Sequence, residues 1–77
     1  VTAGNASQIT DGAGALILAS EKAVKERGLP VLGWVRSTAF AALAPARMGL
    51  GPAYATPVAL DEAGVSLDRI GLIEIGD

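Results

Sequence analysis

One stretch, Gly12-Ala13-Gly14-Ala15-Leu16-Ile17-Leu18-Ala19, constrains this chain more than any other. Two glycines open it, and five apolar residues then follow with no polar position among them. Alternation of apolar and polar residues marks a strand with one wet face, whereas an unbroken apolar run fits a strand covered on both faces. Two further stretches make the same demand. Residues 31–40 carry Val31, Leu32, Trp34, Val35, Thr38 and Phe40, a density of β-branched and aromatic side chains that predicts a long strand, with Arg36 and Ser37 reaching solvent or a partner. Ile70-Gly71-Leu72-Ile73-Glu74-Ile75 predicts a third.

Between them lie helix signals. Ser20 is placed as an N-cap, with a hydroxyl able to accept from an orphan amide, and Glu21 sits at the positive end. A helix over 21–27 follows and stops at Gly28, with Pro30 beyond it. Residues 41–55 are rich in Ala, Gly and Pro without a helical or strand period, which predicts a loop holding at most a short helical turn. Thr56-Pro57 reads as a helix start, because proline suits the first helical position, and the helix runs to about Ala63 before Gly64. Residues 66–69 form a turn. The order strand, helix, strand, loop, helix, strand predicts an α/β fold, its last strand–helix–strand a right-handed parallel crossover. No helix follows the final strand to cover its second face, which suggests a truncated fold.

The composition points the same way. A chain of 77 residues buries only about 60% of its unfolded surface. With no cysteine and no histidine, neither a disulfide nor a structural zinc site staples it. Yet 51% of the residues are hydrophobic and 18% charged, against about 25% charged in an ordinary soluble domain. Such a sequence is expected to be a piece of a larger fold, or to bury its faces against partners. A net charge of −2 with six scattered basic residues gives no footprint for nucleic acid. The apolar run 13–19 is far short of the roughly 20 residues a membrane-spanning helix needs. No basic stretch precedes an apolar one at the start of the chain, so no secretory signal is read, and a cytoplasmic location is expected.

What is missing excludes many mechanisms within these residues: no thiolate, no imidazole base and no serine–histidine relay. Gly12-Ala13-Gly14 lacks the third glycine and the helix of a dinucleotide fingerprint, and there is no phosphate-loop lysine. The acidic residues never cluster at metal-ligand spacing and read as solvated surface. Asn5-Ala6-Ser7-Gln8 has two readings. Asn5 or Ser7 caps a short helical turn before Asp11-Gly12, or Ser7, which has no base to activate it, hydrogen-bonds a ligand. Met48-Gly49-Leu50-Gly51-Pro52 is similarly double: its glycines let backbone approach either a neighbouring segment or a substrate, and Met48 fills a core gap or walls a pocket.

Three separated stretches, "TAGNASQITDGAGALILAS", "MGLGP" ahead of Thr-Pro, and "VALDEAGVSLDRIGLIEI", closely resemble the thiolases, and the resemblance spans essentially the whole chain. It implies an internal fragment of a layered α/β/α/β/α fold, with residues 1–28 closing the N-terminal domain and 29–77 opening the C-terminal one. It implies an acyltransferase of fatty acid metabolism, catalysing reversible thiolytic cleavage and Claisen condensation of 3-ketoacyl-CoA. On this resemblance Ser7, with Ala3, matches positions that contact the pantetheine arm of CoA, and Met48 a residue beside the acyl pocket. The backbone carbonyls of Ala3, Gly4 and Ala6 match a potassium site of some members. No cofactor is implied beyond the CoA thioester as substrate. The implied partners are acyl-CoA or CoA, the remainder of a thiolase chain, and further copies in a homodimer or homotetramer.

The catalytic cysteine and histidine of the family are absent from these 77 residues, so the segment by itself is expected to be inactive. It also departs from the family at its end. Thiolases usually continue this stretch into Asn-Glu-Ala-Phe or His-Glu-Ala-Phe, where the Asn or His side chain holds a water in the oxyanion hole. Here Gly76 stands at that position, followed by Asp77. Either the protein is divergent and stabilises the enolate otherwise, or the chain end departs from the true sequence. An alternative reading is a non-catalytic thiolase-like binding or assembly module, and a third is an unrelated small α/β domain.

Overall fold

The computed structural model describes residues 2–76. Its regular elements are helix α1, Glu21–Arg27, a 3-10 turn at Pro45–Leu50, helix α2, Gly51–Ala63, and a 3-10 turn at Leu67–Arg69.

Helix α1 forms because both of its ends are specified locally. The Ala23 amide donates to Ser20 Oγ at 3.1 Å and the Val24 amide to the Ser20 carbonyl at 3.0 Å. At the other end Gly28 takes φ +60°, and the amides of Gly28 and Leu29 both donate to the Val24 carbonyl. Helix α2 ends the same way: Gly64 sits at φ +69°, and the Val65 amide reaches the Leu60 carbonyl at 3.1 Å. Left-handed backbone costs a side-chain-bearing residue roughly 1 kcal/mol, so both stops need glycine. Two ion pairs lie along α1, Glu21 to Lys25 at 3.2 Å and Lys22 to Glu26 at 3.8 Å. All four side chains are well exposed, so each pair adds only about 0.3–0.5 kcal/mol. Seven residues are too few for a helix that stands by itself.

Helix α2 corrects the reading of Pro57. The helix starts at Gly51, with Pro52 in the first turn, and Pro57 lies inside it. Pro52 satisfies the same first-turn preference that Thr56-Pro57 suggested. Pro57 brings no amide for the Ala53 carbonyl four residues earlier, an interior position that disfavours a helix. The expected loop over 41–55 is correspondingly shorter, since Pro45–Leu50 is a 3-10 turn that runs directly into α2. Arg47, at φ −121° and ψ 18°, kinks that turn.

The expected α/β pattern, strand–helix–strand–loop–helix–strand in a layered α/β/α/β/α arrangement, is overturned: among the described residues there is no strand. The three apolar runs are present without a ladder. A strand is stable only when its amides and carbonyls pair with a neighbour, and even a lone two-stranded hairpin is marginal in water. Apolar density states that a segment must be covered; it does not supply the neighbour. Here the side chains stay open, with Leu16 91%, Ile17 94% and Leu32 102% exposed, and no described residue is buried. The radius of gyration, 16.4 Å, exceeds the roughly 11 Å of a compact chain of this length.

Residues 37–39 associate with α2. On α2 the half-buried positions include Gly51, Ala55, Ala59 and Ala63, four residues apart and all small, so they share one face. Ser37 and Ala39 are half-buried too. Ser37 Oγ donates to the Ala59 carbonyl at 2.7 Å across 22 residues of sequence. No helix among the described residues is long and apolar enough to cross a membrane.

Candidate functional site

The opening residues build a small turn. The Asn5 amide donates to the Thr2 carbonyl at 3.1 Å, and Asn5 Oδ1 accepts from the Thr2 amide at 2.6 Å and from Thr2 Oγ1 at 3.1 Å. The Gly4 amide reaches Thr2 Oγ1 at 3.4 Å. Asn5 therefore closes a turn back toward Thr2. The capping alternative is corrected for both Asn5 and Ser7, because no helix begins among the described residues before Glu21. An asparagine side chain offers the backbone this local bond as readily as a cap.

The residues singled out in the sequence fall in separate places. Ala3, Gly4 and Ala6 lie in and beside the opening turn, and Ser7 follows it; all four are exposed. Carbonyl oxygens are hard, neutral donors of the kind a hard cation takes, and the turn gathers the backbone of residues 3 to 6 into one short stretch. Among the described residues no group of His, Cys, Asp or Glu is positioned to hold a metal ion.

Met48 is exposed on the 3-10 turn. Its carbonyl accepts from the Gly51 amide, which ties its backbone to the start of α2. Gly76 follows the third apolar run. A Cβ placed on Gly76 meets nothing within 4 Å.

A further concavity lies elsewhere. An open cleft of about 1200 Å³ is bounded by residues 34–37, by α2 and by residues 70–75, with Trp34, Leu60, Ile70 and Leu72 among its walls. Gly49 and Leu50 line it, next to Met48, but neither Met48 nor Ala3, Ser7 or Gly76 does. Sequence reasoning assigned no site there. Its α2 wall includes Ala59 and Ala63, small residues that a search for large apolar positions passes over.

The family model described as "Thiolase, C-terminal domain" matches residues 29–77. Over 76 residues the chain is 49% identical to the peroxisomal 3-ketoacyl-CoA thiolase of Homo sapiens, which covers 99% of this chain and 18% of that protein. It is 50% identical to peroxisomal 3-ketoacyl-CoA thiolase 2 of Arabidopsis thaliana, over 99% of this chain and 16% of that one. A 3-ketoacyl-CoA thiolase of Vibrio cholerae is 49% identical, over 97% of this chain and 18% of its own. The chain thus spans under a fifth of the length of these curated relatives. No solved structure matches it.

Proposed function

The chain belongs to the thiolase family, and from that premise we propose that it is a segment of a thiolase-type acyltransferase, contributing part of the wall that binds coenzyme A. The carrying observation is the identity of about one residue in two, along nearly the whole chain, to proteins named as 3-ketoacyl-CoA thiolases. The exposed apolar runs support it, since they are surfaces with nothing yet against them. The family match beginning at residue 29 supports reading 29–77 as the opening of the C-terminal domain and 1–28 as the close of the N-terminal one.

In this proposal the whole protein cleaves a 3-ketoacyl-CoA with CoA, reversibly, through a cysteine and a histidine supplied outside these residues. Ser7, beside Ala3, hydrogen-bonds an amide of the pantetheine arm, and the small alanine leaves room for that narrow chain. Met48 stands beside the acyl group. The carbonyls of Ala3, Gly4 and Ala6 would hold potassium, whose charge would stiffen the turn that presents Ser7. A cytoplasmic location and a homodimer or homotetramer belong to the same proposal, read by cell fractionation and by light scattering of the purified protein. The direct test is CoA-dependent loss of 3-ketoacyl-CoA by the whole purified protein. Absence of any turnover sinks the catalytic reading. Absence of turnover with retained CoA-ester binding favours the second reading, a non-catalytic thiolase-like binding or assembly module, for which Gly76 at the oxyanion position is the motivating observation.

Ser7→Ala in the whole protein is expected to weaken CoA-ester affinity about two- to tenfold, the effect of one ordinary hydrogen bond, while leaving acylation chemistry in place. Isothermal titration in potassium chloride, repeated in choline chloride, reads both the serine and the cation. Unchanged affinity in the variant removes Ser7 from the site, and identical titrations in the two salts remove the cation.

A further inference from the structure

We propose that Ser37 is a positioning residue for the acyl pocket, acting through α2 on the turn that carries Met48. The proposal rests on the reading of this chain as part of a thiolase. Its physical basis is a continuous set of links. Ser37 Oγ donates to the Ala59 carbonyl at 2.7 Å, and the side chain is half-buried, where water competes less for the bond. A carbonyl oxygen has two lone pairs, so Ala59 accepts from the hydroxyl without giving up its place in the helix.

Gly51, Ala55 and Ala63, which are half-buried and small, share a face of α2 with Ala59, where Ser37 approaches the helix backbone closely enough to bond its carbonyl. Helix α2 continues backward into Pro45–Leu50 without a linker. Inside that turn the Gly51 amide donates to the Met48 carbonyl, and the Arg47 amide to the Ala44 carbonyl at 2.8 Å. Met48 therefore moves with α2, and α2 is fixed to residues 29–44 by the Ser37 hydroxyl. Gly49 and Leu50, which follow Met48 directly, line the cleft together with Ser37. Loss of the hydroxyl frees α2 to slide along its small-residue face, carrying Met48 with it and changing the room left for an acyl chain.

The test uses the whole enzyme with Ser37→Ala and Ser37→Thr. Two readouts are taken: hydrogen exchange of the amides in Pro45–Leu50 and Gly51–Ala63, and kcat and KM for a short-chain and a long-chain 3-ketoacyl-CoA. In Ser37→Ala, exchange in both elements is expected to accelerate about two- to tenfold, as loss of one hydrogen bond allows. The ratio of kcat/KM between the two substrates is expected to change by a similar factor, through KM. Ser37→Thr, which keeps the hydroxyl, restores both. Unchanged exchange overturns the latch. Faster exchange with an unchanged substrate ratio overturns the positioning role and leaves a structural bond. A wild-type enzyme that cleaves neither substrate sinks the thiolase reading itself, and the pocket role with it, while the exchange data still decide whether Ser37 holds α2.

Discussion

Heated by itself, the 77-residue chain is expected to give no cooperative unfolding transition, and to show no thiolysis at any protein concentration. Ordering each residue costs roughly 1–2 kcal/mol of backbone entropy, and full burial of a Leu, Ile or Phe side chain recovers about 1.5–3 kcal/mol. Among the described residues none is buried, so the local caps, the exposed ion pairs on α1 and the hydrogen bond from Ser37 to Ala59 offset little of that cost. A folded domain of this length would show an unfolding enthalpy of about 50 kcal/mol near 60 °C. Calorimetry of the isolated chain should show a flat trace, with the helical circular dichroism signal fading gradually and a hydrophobic dye bound from the start. The catalytic half of the expectation is chemical: without a cysteine or a histidine the chain has neither thiolate nor imidazole for acyl transfer. A sigmoidal melt with an enthalpy of that size, or turnover above a blank, defeats the reading of these residues as part of something larger.

The sequence was most legible where structure is decided within one turn of chain. Ser20 and Gly28 bracket α1 by caps whose chemistry is local, and Gly64 stops α2 for the same reason. It was less legible where two local signals compete. Pro52 and Pro57 both suit a helix start, and the preceding Ala, Gly and Pro residues hide the helix from a search for apolar periodicity. Its real signature is the fourfold spacing of Gly51, Ala55, Ala59 and Ala63, which reports close approach and not hydrophobicity. The three apolar runs misled because burial and strand pairing are separate requirements, and only the first is written into Leu16, Leu32 or Leu72. Ser37 could not have been linked to Ala59 at all, since a bond across 22 residues depends on how the chain returns. As for the site, Ala3, Ser7 and Met48 came from the resemblance of whole motifs. Local chemistry left Ser7 and Met48 each with a structural and a ligand-facing reading, and the structure shows that among the described residues no helix before α1 is capped by Asn5 or Ser7.

Gly76→Asn in the whole protein is expected to raise kcat by about 10²- to 10³-fold, the reverse of the loss that follows removal of one oxyanion donor. The carboxamide would hold the water that stabilises the thioester oxygen as negative charge develops on it, an interaction stronger in the transition state than in the ground state, so KM should move little. The backbone accepts the change. Among the described residues the glycines with positive φ are Gly28 and Gly64, not Gly76, so a side chain at 76 meets no left-handed backbone. Gly76→Ala separates the donor from the added bulk: it supplies the Cβ without the amide and should leave kcat where it was. Steady-state kinetics of the three proteins with one 3-ketoacyl-CoA decide the matter. If Asn and Ala behave alike, position 76 does not face the oxyanion, and this protein stabilises its enolate with a donor from elsewhere in the chain. If both are slower than the parent, the glycine is there for close approach of substrate to backbone, and the missing side chain is itself the adaptation.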